Sequence, residues 1–214
     1  MITESAPARL LVEGRDDKHS IVHLLKRHSV DWDSAAETLP YVHDCGGIDT
    51  LLKSIPISAK SYPRLGMMID ANEEIHARWT CVKNMLDSVG VKLPASPDPN
   101  GTIVCGFYQD WRVGIWLMPD NNSHGKLEHF LKTLIPTTDS CWAYAQEAIE
   151  NAQKIGAKFP DKKSLKARIH TWLSWQKEPG LPFGTAITAT YFMHDSPEAL
   201  KFVSWFNRLF LSTP

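Results

Sequence analysis

The sequence predicts an α/β protein with a central, mostly parallel sheet flanked by helices and a helical extension at the carboxyl terminus. Three observations carry this. From Met1 to Gly90, short apolar runs alternate with amphipathic stretches, the pattern of strand–helix units whose parallel sheet is covered on both faces. Two of the apolar runs end in an acid, Glu13 and Asp70, at the strand ends where open α/β sheets place their ligands. From Asp139 onward the periodicity is mostly helical.

In chain order, Arg9 to Val12 is a short buried strand, and Asp17 to His28 is a helix with Ile21, Val22, Leu24 and Leu25 on its inner side. Leu39 to His43 forms a second strand, and Gly46-Gly47 opens a short helix carrying Ile48, Leu51 and Leu52. Arg64 to Ile69 is the third strand. Ile75 to Val89 is a helix stopped by Gly90. After the Pro-, Asn- and Asp-rich loop Leu93 to Gly101, two strands follow, Thr102 to Phe107 and Arg112 to Met118. Tyr108-Gln109-Asp110-Trp111 joins them as a hairpin. Pro119 to Gly125 is a loop and Lys126 to Leu134 a helix. Cys141 to Lys154, Lys163 to Gln176 and Pro197 to Leu211 complete the helical extension. The chain divides into a core, 1–136, and an extension packed on it, 137–214. Trp172 and Trp175, with the stripe Trp205, Phe206, Leu209 and Phe210, form the seam between the two or a subunit interface.

A formal net charge of −1 gives no global attraction to nucleic acid or anionic membrane, so a polyanion site must be local. The four cysteines form no C-x-x-C pair, and residues 1–8 do not read as a signal peptide. Reduced thiols in a cytoplasmic protein are therefore expected. No apolar run reaches the roughly 18 residues of a membrane span.

Acids at the ends of buried strands are costly to leave unpaired. Glu13, in Val12-Glu13-Gly14, and Asp70, in Ile69-Asp70-Ala71-Asn72, thus suggest a divalent-cation site, carboxylates being the hard oxygen ligands Mg²⁺ prefers. The alternative is capping: Glu13 for the helix after it, Asp70 for the one after Asn72. Asp120, in Pro119-Asp120-Asn121-Asn122 after another apolar strand, is a further ligand candidate or a plain turn residue. Basic side chains crowd two helices: His19, His23, Lys26 and Arg27 on the first, Lys163, Lys166, Arg168 and His170 on a later one. They serve phosphate neutralisation or simply a solvated face. The spacing of His19 and His23 also fits a zinc pair, but no third ligand is grouped with it.

The Val12-Glu13-Gly14 turn, the Ile69-Asp70-Ala71-Asn72 strand end and the α/β order between them resemble a TOPRIM domain, the fold of topoisomerases, primases, recombination proteins and the nucleases of the overcoming-lysogenisation-defect family. The resemblance to that core covers residues 1–130 or so. The whole layout, including Trp116-Leu117-Met118-Pro119-Asp120-Asn121 and the helix at Lys166-Ala167, is similar to a group of small prokaryotic TOPRIM-related proteins. The resemblance implies a strand-end Glu, here Glu13, and an Asp-x-Asp pair, here Asp70 and Asn72, holding Mg²⁺, with Mn²⁺ as a substitute. From the nuclease branch it further implies Asp17 as an acid shortly after the Glu, Glu128 within Gly125-Lys126-Leu127-Glu128, and Lys166 as a late basic residue that steadies the scissile phosphate. Glu128 sits early in its helix, where an acid also suits the helix dipole.

Asn72 departs from the pattern. It offers a carbonyl oxygen but no charge, so cation affinity falls, and a second metal would need Asp17, Asp120 or Glu128. The expected function is Mg²⁺-dependent phosphoryl transfer on nucleic acid, foremost as a nuclease, with Glu13 and Lys166 taking part in the chemistry. No tyrosine stands out as a topoisomerase nucleophile, and no primase zinc motif is present. The alternative is a non-catalytic or partner-dependent module, such as a defence-system effector working with a separate ATPase, because the chain has no Walker-type loop of its own. Small nucleotides are a third class of substrate, and an oligomer is compatible with the aromatic stripes.

Overall fold

Ala8–Val12 (β1) is buried along its whole length, as an apolar strand must be when both of its faces are covered. It pairs in parallel with Tyr41–Asp44 (β2) on one side and Arg64–Asp70 (β3) on the other, Leu10 facing both Val42 and Gly66. Arg112–Met118 (β5) lies parallel to β3, and Thr102–Cys105 (β4) pairs antiparallel with β5 at the edge. The order is β2-β1-β3-β5-β4. The computed structural model describes residues 4–32, 39–106, 108 and 111–211. Phe107, Gln109 and Asp110 of the expected hairpin lie outside them. β2 begins at Tyr41 and not at Leu39, because Pro40 has no N–H to give a ladder.

Strand alternation feeds two cores. Leu10, Val12, Met68, Trp116 and Met118 face one; Leu11, Met67, Ile69, Ile115 and Leu117 face the other. The second core is roofed by Ile48–Ser61 (α2) and Ile75–Asp87 (α3), through Leu51, Ile55, Trp79 and Val82. The first lies under Arg15–Arg27 (α1), Leu127–Thr133 (α4), Ser140–Lys154 (α5), Ser164–Ser174 (α6), Phe183–Thr188 (α7) and Pro197–Phe206 (α8). The carboxyl-terminal helices therefore share one hydrophobic core with the strands. Trp116 meets Phe202 and Trp205 with ring centroids 5.3 and 5.8 Å apart. Trp175, in contrast, is partly exposed and stacks on Tyr144.

Besides β2, three helical elements differ from expectation. α2 is no short helix: it spans fourteen residues with Pro56 inside it. The buried stripe Leu51, Ile55 and Ala59 holds both halves to the sheet and offsets the hydrogen bond that proline cannot donate. α7, only six residues long, was not expected, since so short a segment shows no periodicity. It rests on α1 at Gly184, where a Cβ would stand 2.8 Å from the His19 carbonyl oxygen. The last helix stops at Phe206 and widens into a π turn, Asn207–Leu211. That turn lays Leu209 and Phe210 on the register pair Gly66 and Gly114, where the missing side chains leave room for them.

All four cysteines are free. Among the described residues no helix is long and apolar enough to cross a membrane.

Candidate functional site

Because β1 and β3 are parallel neighbours, their carboxyl ends lie side by side, and this brings Glu13 to Asp70. Glu13 Oε1 accepts the Asp70 backbone N–H at 2.8 Å. Neither acid caps the helix that follows it in sequence. The head of α1 is served by Asp17, whose Oδ2 accepts the Gly14 N–H at 3.1 Å. Asp70 reaches across the sheet end to the head of α4, where its Oδ1 accepts the Leu127 N–H at 3.1 Å.

These bonds frame a cleft of about 340 Å³. Asp17 and Asp70 line it together with Glu128 from α4, Lys166 from α6, Lys126 and Asp16. Glu13 stands just behind, on the backbone of Asp70. Glu128 is buried, its oxygens 3.7 Å from the ammonium groups of Lys126 and Lys166. Lys166 also binds Asp16 Oδ2 at 2.7 Å, so it ties α6 to α1 across the mouth of the cleft.

Charge is unevenly compensated. The two lysines neutralise Asp16 and Glu128, while among the described residues no lysine or arginine stands within ion-pair distance of Asp17 or Asp70. Burial pushes the Asp17 carboxyl up to about 7, with the charge of Glu13 adding to it. Asp70 is pushed up to about 8 by burial, then by Glu13, Asp17 and Glu128. Glu13 is raised by burial, against the opposing effects of the Asp70 N–H and the Arg78 guanidinium. The Lys166 ammonium is held above its ordinary value by Asp16 and Glu128, although burial pulls the other way. Arg15, Lys126 and Lys166 line the cleft against Asp16, Asp17, Asp70 and Glu128, so acids outnumber cations along its walls.

Of the expected site residues, Asp17, Asp70, Glu128 and Lys166 line the cleft, and Glu13 supports it. Asp120 is not among the lining residues. Its carboxylate accepts the Asn122 and Ser123 N–H groups and the Ser123 hydroxyl, a turn-closing role whose hydrogen bonds outweigh burial and lower its pKa. Asn72 also stands outside the cleft. It is exposed, in a left-handed backbone conformation (φ 55°), and it lines a neighbouring larger groove. His23 Nδ1 lies 2.7 Å from the Thr188 hydroxyl. Among the described residues no three His, Cys, Asp or Glu side chains converge as a ready-made metal-ligand set.

Asp16 and Lys126 went unrecognised in the sequence, although each adjoins a recognised residue. The available signals were Asp16 in the first turn of α1 and Lys126 directly before α4.

Fold and cleft together define an α/β protein with an acid-lined cleft at the carboxyl ends of its parallel strands. The chain belongs to the family described as protein of unknown function (DUF3226), which matches residues 7–211. No curated protein and no solved structure matches it.

Proposed function

We propose that the protein is a Mg²⁺-dependent phosphoryl-transfer enzyme of the TOPRIM type, a nuclease that cleaves phosphodiesters of nucleic acid in the cytoplasm. The observation that supports this best is the uncompensated pair Asp17 and Asp70, raised to about 7 and about 8 in a cleft that also holds an ammonium group. Hard carboxylate oxygens short of positive charge suit a small divalent cation. Mg²⁺ keeps most of its waters, so two protein carboxylates suffice even without a three-residue ligand set.

Asp17 and Asp70 would hold the cation, and Mn²⁺ would replace it. When bound, it supplies charge to a phosphoryl oxygen that gains negative charge in the transition state. Asp70 is kept in place by the Leu127 N–H, and its backbone is fixed by Glu13. Glu13, behind the cleft, would act through Asp70, whose backbone it holds. The Lys166 ammonium, held at the cleft mouth by Asp16 and Glu128, steadies the scissile phosphate. Asp16 and Glu128 set where that ammonium sits.

A second reading is favoured by one observation: the position that would complete an Asp-x-Asp pair is Asn72, and it lies outside the cleft. In this reading the chain is a partner-dependent module that works with a separate ATPase. Incubation of the purified protein with single- and double-stranded DNA and RNA, in Mg²⁺ or Mn²⁺, separates the two. Cleavage by wild type, lost in Glu13→Ala and Asp70→Ala, supports the enzyme. Equal behaviour of all three proteins, with no cation binding by calorimetry, removes it.

A further inference from the structure

A groove of about 910 Å³ runs between α3 and the start of α6, beside the acid cleft. The two share Lys126, whose ammonium lies 3.7 Å from Glu128. A ligand held at the acids would have the groove beside it, across Lys126. Three cations in the groove, Arg78, Lys126 and Lys162, are matched by three carboxylates, Glu73, Glu74 and Asp161. A track for a phosphate backbone would be strongly basic. This one is not; its walls also include Ala71, Ala77 and Leu165, and its size falls within the range of small-molecule pockets, about 300–1,000 Å³.

Asn72 is held at the groove by its backbone. Its N–H donates to the Gly125 carbonyl and its carbonyl accepts the Gly125 N–H, both at 2.7 Å. The left-handed φ of 55° is one that Asn tolerates better than most residues. An amide offers both a donor and an acceptor, the pattern that a base edge presents.

We infer that this groove is the nucleobase subsite of the acid centre, that Asn72 is a specificity-determining residue there and not a metal ligand, and that the substrate is consequently an unpaired strand. The inference rests on the phosphoryl-transfer reading above. In a duplex the bases are paired and stacked, and laying one into the groove beside its own scissile phosphate first costs its unpairing and unstacking; an unpaired strand is spared that cost.

Two variants leave the fold intact and test this. Asn72→Gly removes the amide at a backbone conformation that glycine favours. Ala77→Trp fills the groove from an exposed position of α3. Binding of a labelled unpaired oligonucleotide of about twelve nucleotides, and of the same sequence as a duplex, is read by fluorescence anisotropy with Ca²⁺ in place of Mg²⁺. Wild type is expected to bind the unpaired strand about tenfold tighter than the duplex, and each variant to lose about fivefold or more of that affinity. Mg²⁺ affinity by calorimetry is expected to stay unchanged in both variants. Equal or tighter duplex binding overturns the inference, as does wild-type affinity in both variants. Loss of Mg²⁺ binding in Asn72→Gly also overturns it, by returning Asn72 to the metal site. If wild type binds Mg²⁺ but does not discriminate between the oligonucleotides, the groove assignment falls and the acid centre stands. Discrimination without any Mg²⁺ binding leaves the groove assignment and removes the metal centre.

Discussion

Asp70 does two jobs that pull against each other. Its Oδ1 accepts the Leu127 N–H, yet its charge is set in a buried corner beside Glu13 and Asp17. Both Asp70 and Asp17 titrate above their ordinary value of 3.8, at about 8 and about 7. Between those limits the folded chain keeps protons that the unfolded chain has released, so the metal-free protein loses stability as pH rises through that window. Asp70→Asn keeps the acceptor and removes the charge. Its melting temperature without cation is expected to exceed that of wild type at pH about 8 by a few degrees, roughly 2–4 °C per kcal/mol for a chain of this size, and the gap is expected to narrow as pH falls, closing only toward the ordinary value of 3.8, where Asp70 is protonated in folded and unfolded chains alike. Mg²⁺ should reverse that order by stabilising only the wild type. By the same linkage, Mg²⁺ affinity in calorimetry rises with pH through 7 to 8 and binding releases protons; a flat profile would refute the assignment. Lys166→Met leaves the buried Glu128 with Lys126 alone. A loss of about 1–2 kcal/mol in urea unfolding is expected, less than for a fully isolated buried pair because Asp16 is exposed.

At the scale of elements, the site is where separate helix heads meet two strand ends. Asp17 opens α1, Asp70 holds the head of α4, and Lys166 brings in α6. The strand-end acids were legible because an acid after an apolar run stands out in any sequence. Which helix Asp70 would serve was not, since Leu127 lies 57 residues further on and only the neighbouring of β3 and β5 brings it there. Asp120 looked equivalent to Asp70, an acid after an apolar strand, but it spends its oxygens on its own turn. A second junction is the notch at Gly66 and Gly114 that receives Leu209 and Phe210. Gly114→Ala drives a methyl into Leu209, and a destabilisation of about 1–3 kcal/mol is expected in urea unfolding, with the final turn becoming open to proteolysis.

Over the whole molecule, sheet and helical extension stand or fall together. Phe202, Trp205, Phe206 and Phe210 are fully buried against Trp116 and its neighbours. A chain cut after Asp195 is expected to lose its cooperative thermal transition in circular dichroism; retention of a sharp transition by the remaining residues would contradict a shared core. The sequence by itself determined the strand–helix alternation, the two-sided sheet and the pair Glu13 and Asp70, because burial writes hydrophobic periodicity into local sequence and an acid interrupting it is conspicuous. Only the tertiary structure decided that Asn72 faces a different cavity, that Asp16 and Lys126 join the cleft, and that Asp17 and Asp70 are left without counter-charges. Those outcomes depend on distances between elements far apart in the chain, and electrostatics follows distance and burial, which local sequence does not encode.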